Sequence, residues 1–140
     1  MSRFVRPESD RLEISAGDYL IVKRRLNAGE QRRAYARIVK RSELVDGAEG
    51  APRTHHVEID PEATGLATIV AYLLDWSLRD EAGELVAIRD VPTAVLEATL
   101  LALDPASFRE ILEAIQGHER RHLEALEAQK KMMTDGAPAS

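Results

Sequence analysis

The sequence predicts an α+β fold, a small and mostly helical single domain with a few short N-terminal and central strands. Three observations carry this. The run Tyr19-Leu20-Ile21-Val22, set off by Ala16-Gly17-Asp18, has the aliphatic and β-branched make-up of a strand. Two aspartate–proline pairs, Asp60-Pro61 and Asp104-Pro105, each open a segment whose apolar residues recur three and four apart, as on a capped helix. The only tryptophan, Trp76, sits in the apolar run Tyr72-Leu73-Leu74-Asp75-Trp76, with turn residues directly after it. A chain of 140 residues suits one domain with a good core, and a buried tryptophan would fix how its neighbours pack.

In chain order, residues 1–11 are polar, contain Pro7 and lack periodicity, so a mobile arm is expected before a globular domain over residues 12–132. After the first strand, Asn27-Ala28-Gly29-Glu30 has the form of a capping box. Tyr35, Ile38 and Val39 then mark the apolar edge of a helix crowded elsewhere by Arg32, Arg33, Arg37, Lys40 and Arg41. Residues 46–52 read as a loop and 55–59 as a short strand. A helix is expected over 62–74 from Leu66, Ile69, Val70, Leu73 and Leu74. Asp80-Glu81-Ala82-Gly83 is a tight turn with Gly83 free to take a positive φ, and 85–88 a short strand. A helix follows Pro92-Thr93 to about residue 103, with Val95, Leu96, Thr99, Leu100 and Leu103 on one face. The last helix is the clearest, striped by Phe108, Ile111, Leu112, Ile115, Leu123 and Leu126, and residues 133–140 form a disordered tail by composition.

Composition narrows the function classes. There is no cysteine, hence no disulfide, thiol chemistry or cysteine-based metal site. No run of about 18 apolar residues suggests a membrane span, and the first residues lack the apolar core of a secretory signal, so a cytoplasmic protein is expected. The net charge of −5 is unevenly spread: residues 1–53 carry 12 Lys/Arg against 8 Asp/Glu, residues 54–140 carry 7 against 16. The basic half offers Lys23-Arg24-Arg25 together with Arg32, Arg33 and Arg37 to an acidic partner. Nucleic acid is not the expected one, because the chain is acidic overall, Tyr35 and Tyr19 are the only aromatics near the patch, and no binding motif accompanies it.

The sharpest chemical motif is His118-Glu119-Arg120-Arg121-His122, which fits H-E-x-x-H. On a helix the two histidines stand one turn apart and can share a zinc ion while the glutamate polarises its water, the arrangement of a zinc metalloprotease. A third ligand is missing from the 18 residues that follow, and both intervening residues are arginines, whose charge opposes a metal ion. The expectation is that His118 and His122 border the apolar stripe that Ile115 and Leu126 continue. His55-His56 on a strand would point to opposite faces and share no metal. With no serine–histidine–aspartate elbow, phosphate loop or dinucleotide fingerprint, no catalytic, cofactor or metal residue is assigned.

Gly17-Asp18-Tyr19-Leu20-Ile21-Val22-Lys23-Arg24, then Leu26-Asn27-Ala28-Gly29-Glu30-Gln31-Arg32-Arg33, resembles the opening of small proteins encoded in the tail regions of long-tailed bacteriophages. Tyr72-Leu73-Leu74-Asp75-Trp76-Ser77-Leu78 with Asp80, Gly83 and Val86, and the segment from Phe108 to His118, continue the likeness, which covers roughly residues 17–125. Together they resemble a phage tail assembly chaperone. The resemblance implies a non-enzymatic protein of the host bacterial cytoplasm. Such chaperones bind the tape-measure protein, keep it from aggregating, assist tail-tube subunits around it and leave the finished particle. The competing reading is a virion structural part, a head–tail completion or tail-terminator protein. Candidate partner-binding residues are the apolar Leu112, Leu123 and Leu126 and the basic Arg32, Arg33 and Arg37, with a homo-oligomer as a further use of the last helix.

Overall fold

The computed structural model describes residues 3–46 and 61–135. Its architecture grows from β2, Tyr19–Lys23, where burial alternates along the strand and Leu20 and Val22 have no solvent exposure. β2 is the middle strand of a three-stranded antiparallel sheet, between β1, Ser9–Glu13, and β3, Leu73–Trp76. Among the described residues four helices complete the α+β single domain: α1, Ala28–Asp46; α2, Pro61–Tyr72; α3, Thr93–Leu101; and α4, Pro105–Asp135. Leu20 and Val22 join Ile69, Trp76, Leu100, Ile111 and Ile115 in one core, while Tyr19, Ile21 and Lys23 on the opposite face of β2 are only half covered.

The local signals hold where they rest on chemistry close in sequence. Asn27 Oδ1 accepts from the Glu30 N–H at 2.8 Å while Glu30 Oε1 accepts from the Asn27 N–H at 3.0 Å, so the capping box starts α1. Asp104 Oδ1 accepts from the Ser107 N–H at 2.9 Å, and Pro105 occupies the first position of α4. Pro61 likewise opens α2. At the turn, Asp80 Oδ1 accepts from the N–H groups of Ala82 and Glu84, and Gly83 has φ +81°. Trp76 is 2% exposed, and its indole N–H donates to the Val86 carbonyl at 2.7 Å.

Four expectations are corrected. Residues 9–11 belong to β1 rather than to an arm: Asp10 pairs with Val22 and Leu12 with Leu20. Ser9-Asp10-Arg11-Leu12-Glu13 holds one large apolar residue, so it has no hydrophobic alternation; backbone pairing and ion pairs hold this edge strand. Arg24 bonds both Glu8 and Asp10, and the Arg11 guanidinium lies 3.8 Å from the Tyr19 ring centre.

The helix expected to residue 74 stops at Tyr72, and the chain enters β3 without a loop. Val22 pairs with Leu73 and Ile21 with Asp75, so Leu74 is the extra residue of a bulge. The bulge lets Leu73 and Trp76, three residues apart, both face the core. That spacing mimics a helix in sequence.

Residues 85–88 form no full strand; Leu85 bridges to Arg79, and Val86 serves the tryptophan. α4 runs through Asp135, so residues 133–135 are helical rather than tail. The loop at 47–52, the strand at 55–59 with His55-His56, and residues 136–140 lie outside the described residues. Among the described residues, no helix is long and apolar enough to cross a membrane.

α2 is the hub. Ala63, Gly65, Leu66, Ala67, Ile69, Ala71 and Tyr72 are all buried, because α1, α3 and α4 pack around it. A helix apolar on nearly all sides has to be enclosed in this way. A Cβ built on Gly65 would lie 2.9 Å from Leu112 Cδ2, so the glycine lets α4 approach closely.

Candidate functional site

Two features lie along the middle of α4. The first is an open groove of about 420 Å³ lined by one face each of α1, α2 and α4. α1 contributes Gln31, Ala34, Tyr35 and Ile38; α2 contributes Thr68, Ala71 and Tyr72; α4 contributes Glu119, His122, Leu123 and Leu126. These positions recur three and four apart because a helix shows a neighbour one such stripe. Tyr35 is 63% exposed and Leu123 55% exposed, both large amounts for apolar side chains on a concave wall.

The candidate partner residues divide accordingly. Leu123 and Leu126 line the groove. Leu112 packs on Gly65 of α2 and belongs to the fringe of the core, so it is a packing residue rather than part of a partner face. Arg32 and Arg33 are exposed on α1 but do not line the groove, and Arg37 Nη2 reaches toward Thr93 Oγ1 of α3 at 3.5 Å. Tyr35, read in the sequence as part of an apolar helix edge and as an aromatic near the basic patch, is the groove's most exposed aromatic.

The second feature is a polar cluster where the apolar stripe of α4 runs off the core. Ile111 and Ile115 are fully buried, and continuing by three and four residues brings His118, 4% exposed, and then His122. In the antiparallel register Asp10 lies opposite Val22, on the same side of the sheet as Leu12 and the two buried β2 residues. An acidic residue on the inward face of an edge strand therefore meets the two histidines. Asp10 Oδ2 lies 4.0 Å from His118 Nε2 and 3.8 Å from His122 Nε2, and one donor atom from each residue falls within 4.8 Å of the others. The imidazole centres are 4.9 Å apart. His118 Nε2 is also 3.0 Å from the Lys23 carbonyl oxygen and 3.1 Å from that of Arg24, so it carries a proton and donates to them.

Charge is distributed unevenly in this cluster. Hydrogen bonding from Arg24 holds the Asp10 carboxyl below its ordinary range against the opposing effect of burial, so it is anionic at neutral pH. Burial lowers the His122 pKa, aided by the neighbouring His118, which favours the neutral ring. Glu119, the would-be base of the H-E-x-x-H pattern, accepts a hydrogen bond from the Tyr72 hydroxyl at 2.9 Å. Burial and that carboxylate push the Tyr72 phenol well above its ordinary pKa.

The third donor missing from the residues after His122 thus comes from β1, at the other end of the chain. Inward alternation in β1 was the available signal, but with only Leu12 apolar it could not be read from the sequence. Compared with protein-family models, with curated proteins and with solved structures, the chain matches none.

Proposed function

We propose that this chain is a helix-capturing assembly protein of the phage tail chaperone kind, and that the α1–α2–α4 groove seats an amphipathic helix of a tape-measure protein. The observation that carries the reading is the half-exposed apolar wall formed by Tyr35, Leu123 and Leu126 between three helices. A helix lays a three-and-four-spaced apolar stripe into such a groove, and the three walls already show that spacing. Arg25, Glu119 and His122 at the polar positions would fix orientation and register. The likeness of residues 17–33 and 72–86 to phage tail-region proteins gives the partner class.

The test is co-expression with a phage tape-measure protein. Wild-type chain is expected to keep that partner soluble in a stable complex. Tyr35→Asp with Leu123→Asp should weaken capture by about 2 kcal/mol or more, roughly thirtyfold, with folding intact. Continued precipitation of the tape-measure protein beside the wild-type chain overturns the reading. Several copies per mature particle, measured by mass spectrometry, would replace it with the virion structural part.

A further inference from the structure

We propose that Asp10, His118 and His122 form a binding site for one divalent transition-metal ion of the zinc type, acting as a clip between β1 and α4. The site shares His122 with the groove but does not rest on the groove reading.

The donor set is one carboxylate oxygen and two imidazole nitrogens, the nitrogen–oxygen chemistry that zinc and its neighbours accept. Its supply is structural. Histidines one turn apart on a rigid helix face one side, and the antiparallel register of β1 places Asp10 opposite them. Ligands bonded to zinc at about 2.1 Å stand about 3.4 Å apart in a tetrahedron. The Oδ2–Nε2 separations of 3.8 and 4.0 Å need to close by about half an ångström, and the donors as a group, within 4.8 Å of one another, must draw together around the ion. Two further oxygens, the Lys23 and Arg24 carbonyls, lie 3.0 and 3.1 Å from His118 Nε2, close to the spacing of adjacent ligands on one ion.

Outer contacts hold the ligands in place. Arg24 binds Asp10 Oδ1 through Nη2 at 2.9 Å and Nε at 3.1 Å, the kind of second partner a ligating carboxylate usually has. Arg24 Nε is also 3.3 Å from Oδ2, so ion entry must draw that oxygen toward the histidines. When the ion enters, His118 Nε2 must give up the proton it shares with those carbonyls and present its lone pair to the ion. Tyr72 holds Glu119, the glutamate of the H-E-x-x-H pattern, through its hydroxyl. The role proposed for the ion is to fasten the sheet edge to the helix.

The experiment is a zinc titration of the full chain at neutral pH against a chromophoric chelator, with thermal melts in zinc and in chelator. One equivalent of zinc bound, with a raised melting temperature, is expected for the wild type. Asp10→Asn removes a charge and His122→Ala an imidazole at positions 28% and 32% exposed, so both variants should fold, which Trp76 fluorescence checks. Each is expected to weaken zinc binding by about a hundredfold, the upper end of the cost of losing even an outer partner. A variant carrying His55→Ala and His56→Ala should bind as tightly as wild type. Substoichiometric uptake, or uptake that survives Asp10→Asn and His122→Ala, overturns the proposal and leaves His118 as a core histidine hydrogen-bonded to two carbonyls.

Discussion

Replacing Trp76 with phenylalanine isolates how far one side chain anchors the fold. The ring is 2% exposed and packs where β3, the turn after it and the core meet. Its indole N–H donates to the Val86 carbonyl at 2.7 Å, and this bond holds the 85–88 segment, which has no strand ladder of its own. Phenylalanine keeps the apolar contact but lacks the donor, leaving a part-buried carbonyl unpaired at a cost of about 1–3 kcal/mol where water does not replace the indole. The smaller ring leaves part of a cavity. Since full truncation of a buried aromatic costs about 3–5 kcal/mol, this part contributes roughly 1 kcal/mol. Together the change should destabilise by about 2–4 kcal/mol. With a urea slope of about 2 kcal/mol/M, the unfolding midpoint followed by circular dichroism falls by about 1–2 M. A shift of a few tenths molar at unchanged slope would refute the reasoning, because water would then be serving the Val86 carbonyl in place of the indole.

Glu30 carries a pH prediction. Burial opposes its ionisation, but the Asn27 N–H and the Lys23 ammonium outweigh burial and hold its pKa below the ordinary 4.5. A folded pKa below the unfolded one gives stability that is present above 4.5 and lost as pH falls through the folded value. Urea midpoints of wild type and Glu30→Gln should therefore differ at neutral pH and converge in acid; a difference that persists in acid contradicts this. Changing Arg32, Arg33 and Arg37 together to glutamate should slow partner capture and alter its salt dependence, while the dissociation rate of the complex stays near wild type, because these charges flank the groove without lining it. Stopped-flow mixing measures both rates, and a large rise in dissociation would place the arginines inside the interface.

Features that depend on neighbours along the chain were readable from the residues alone. Asn27 with Glu30, Asp104 with Pro105, and Asp80 with Gly83 are each satisfied within a few residues, so helix starts and the turn are written locally. The β2 strand and the long stripe of α4 were legible for a related reason: each buries one face over many residues, and a repeated face leaves a repeated pattern. Tertiary structure alone decided where α2 stops, because the Leu74 bulge that turns both Leu73 and Trp76 inward exists only when β2 is alongside. It alone made a strand of residues 9–13, whose stability comes from pairing with β2 and from Arg24. The candidate functional surfaces belong to this second class. Tyr35 and Leu123 meet across a groove, and Asp10 meets His118 and His122 across an edge, only after distant segments have packed. Periodicity shows which side of an element is apolar; which neighbour covers that side, and how far along it the cover extends, is fixed by packing.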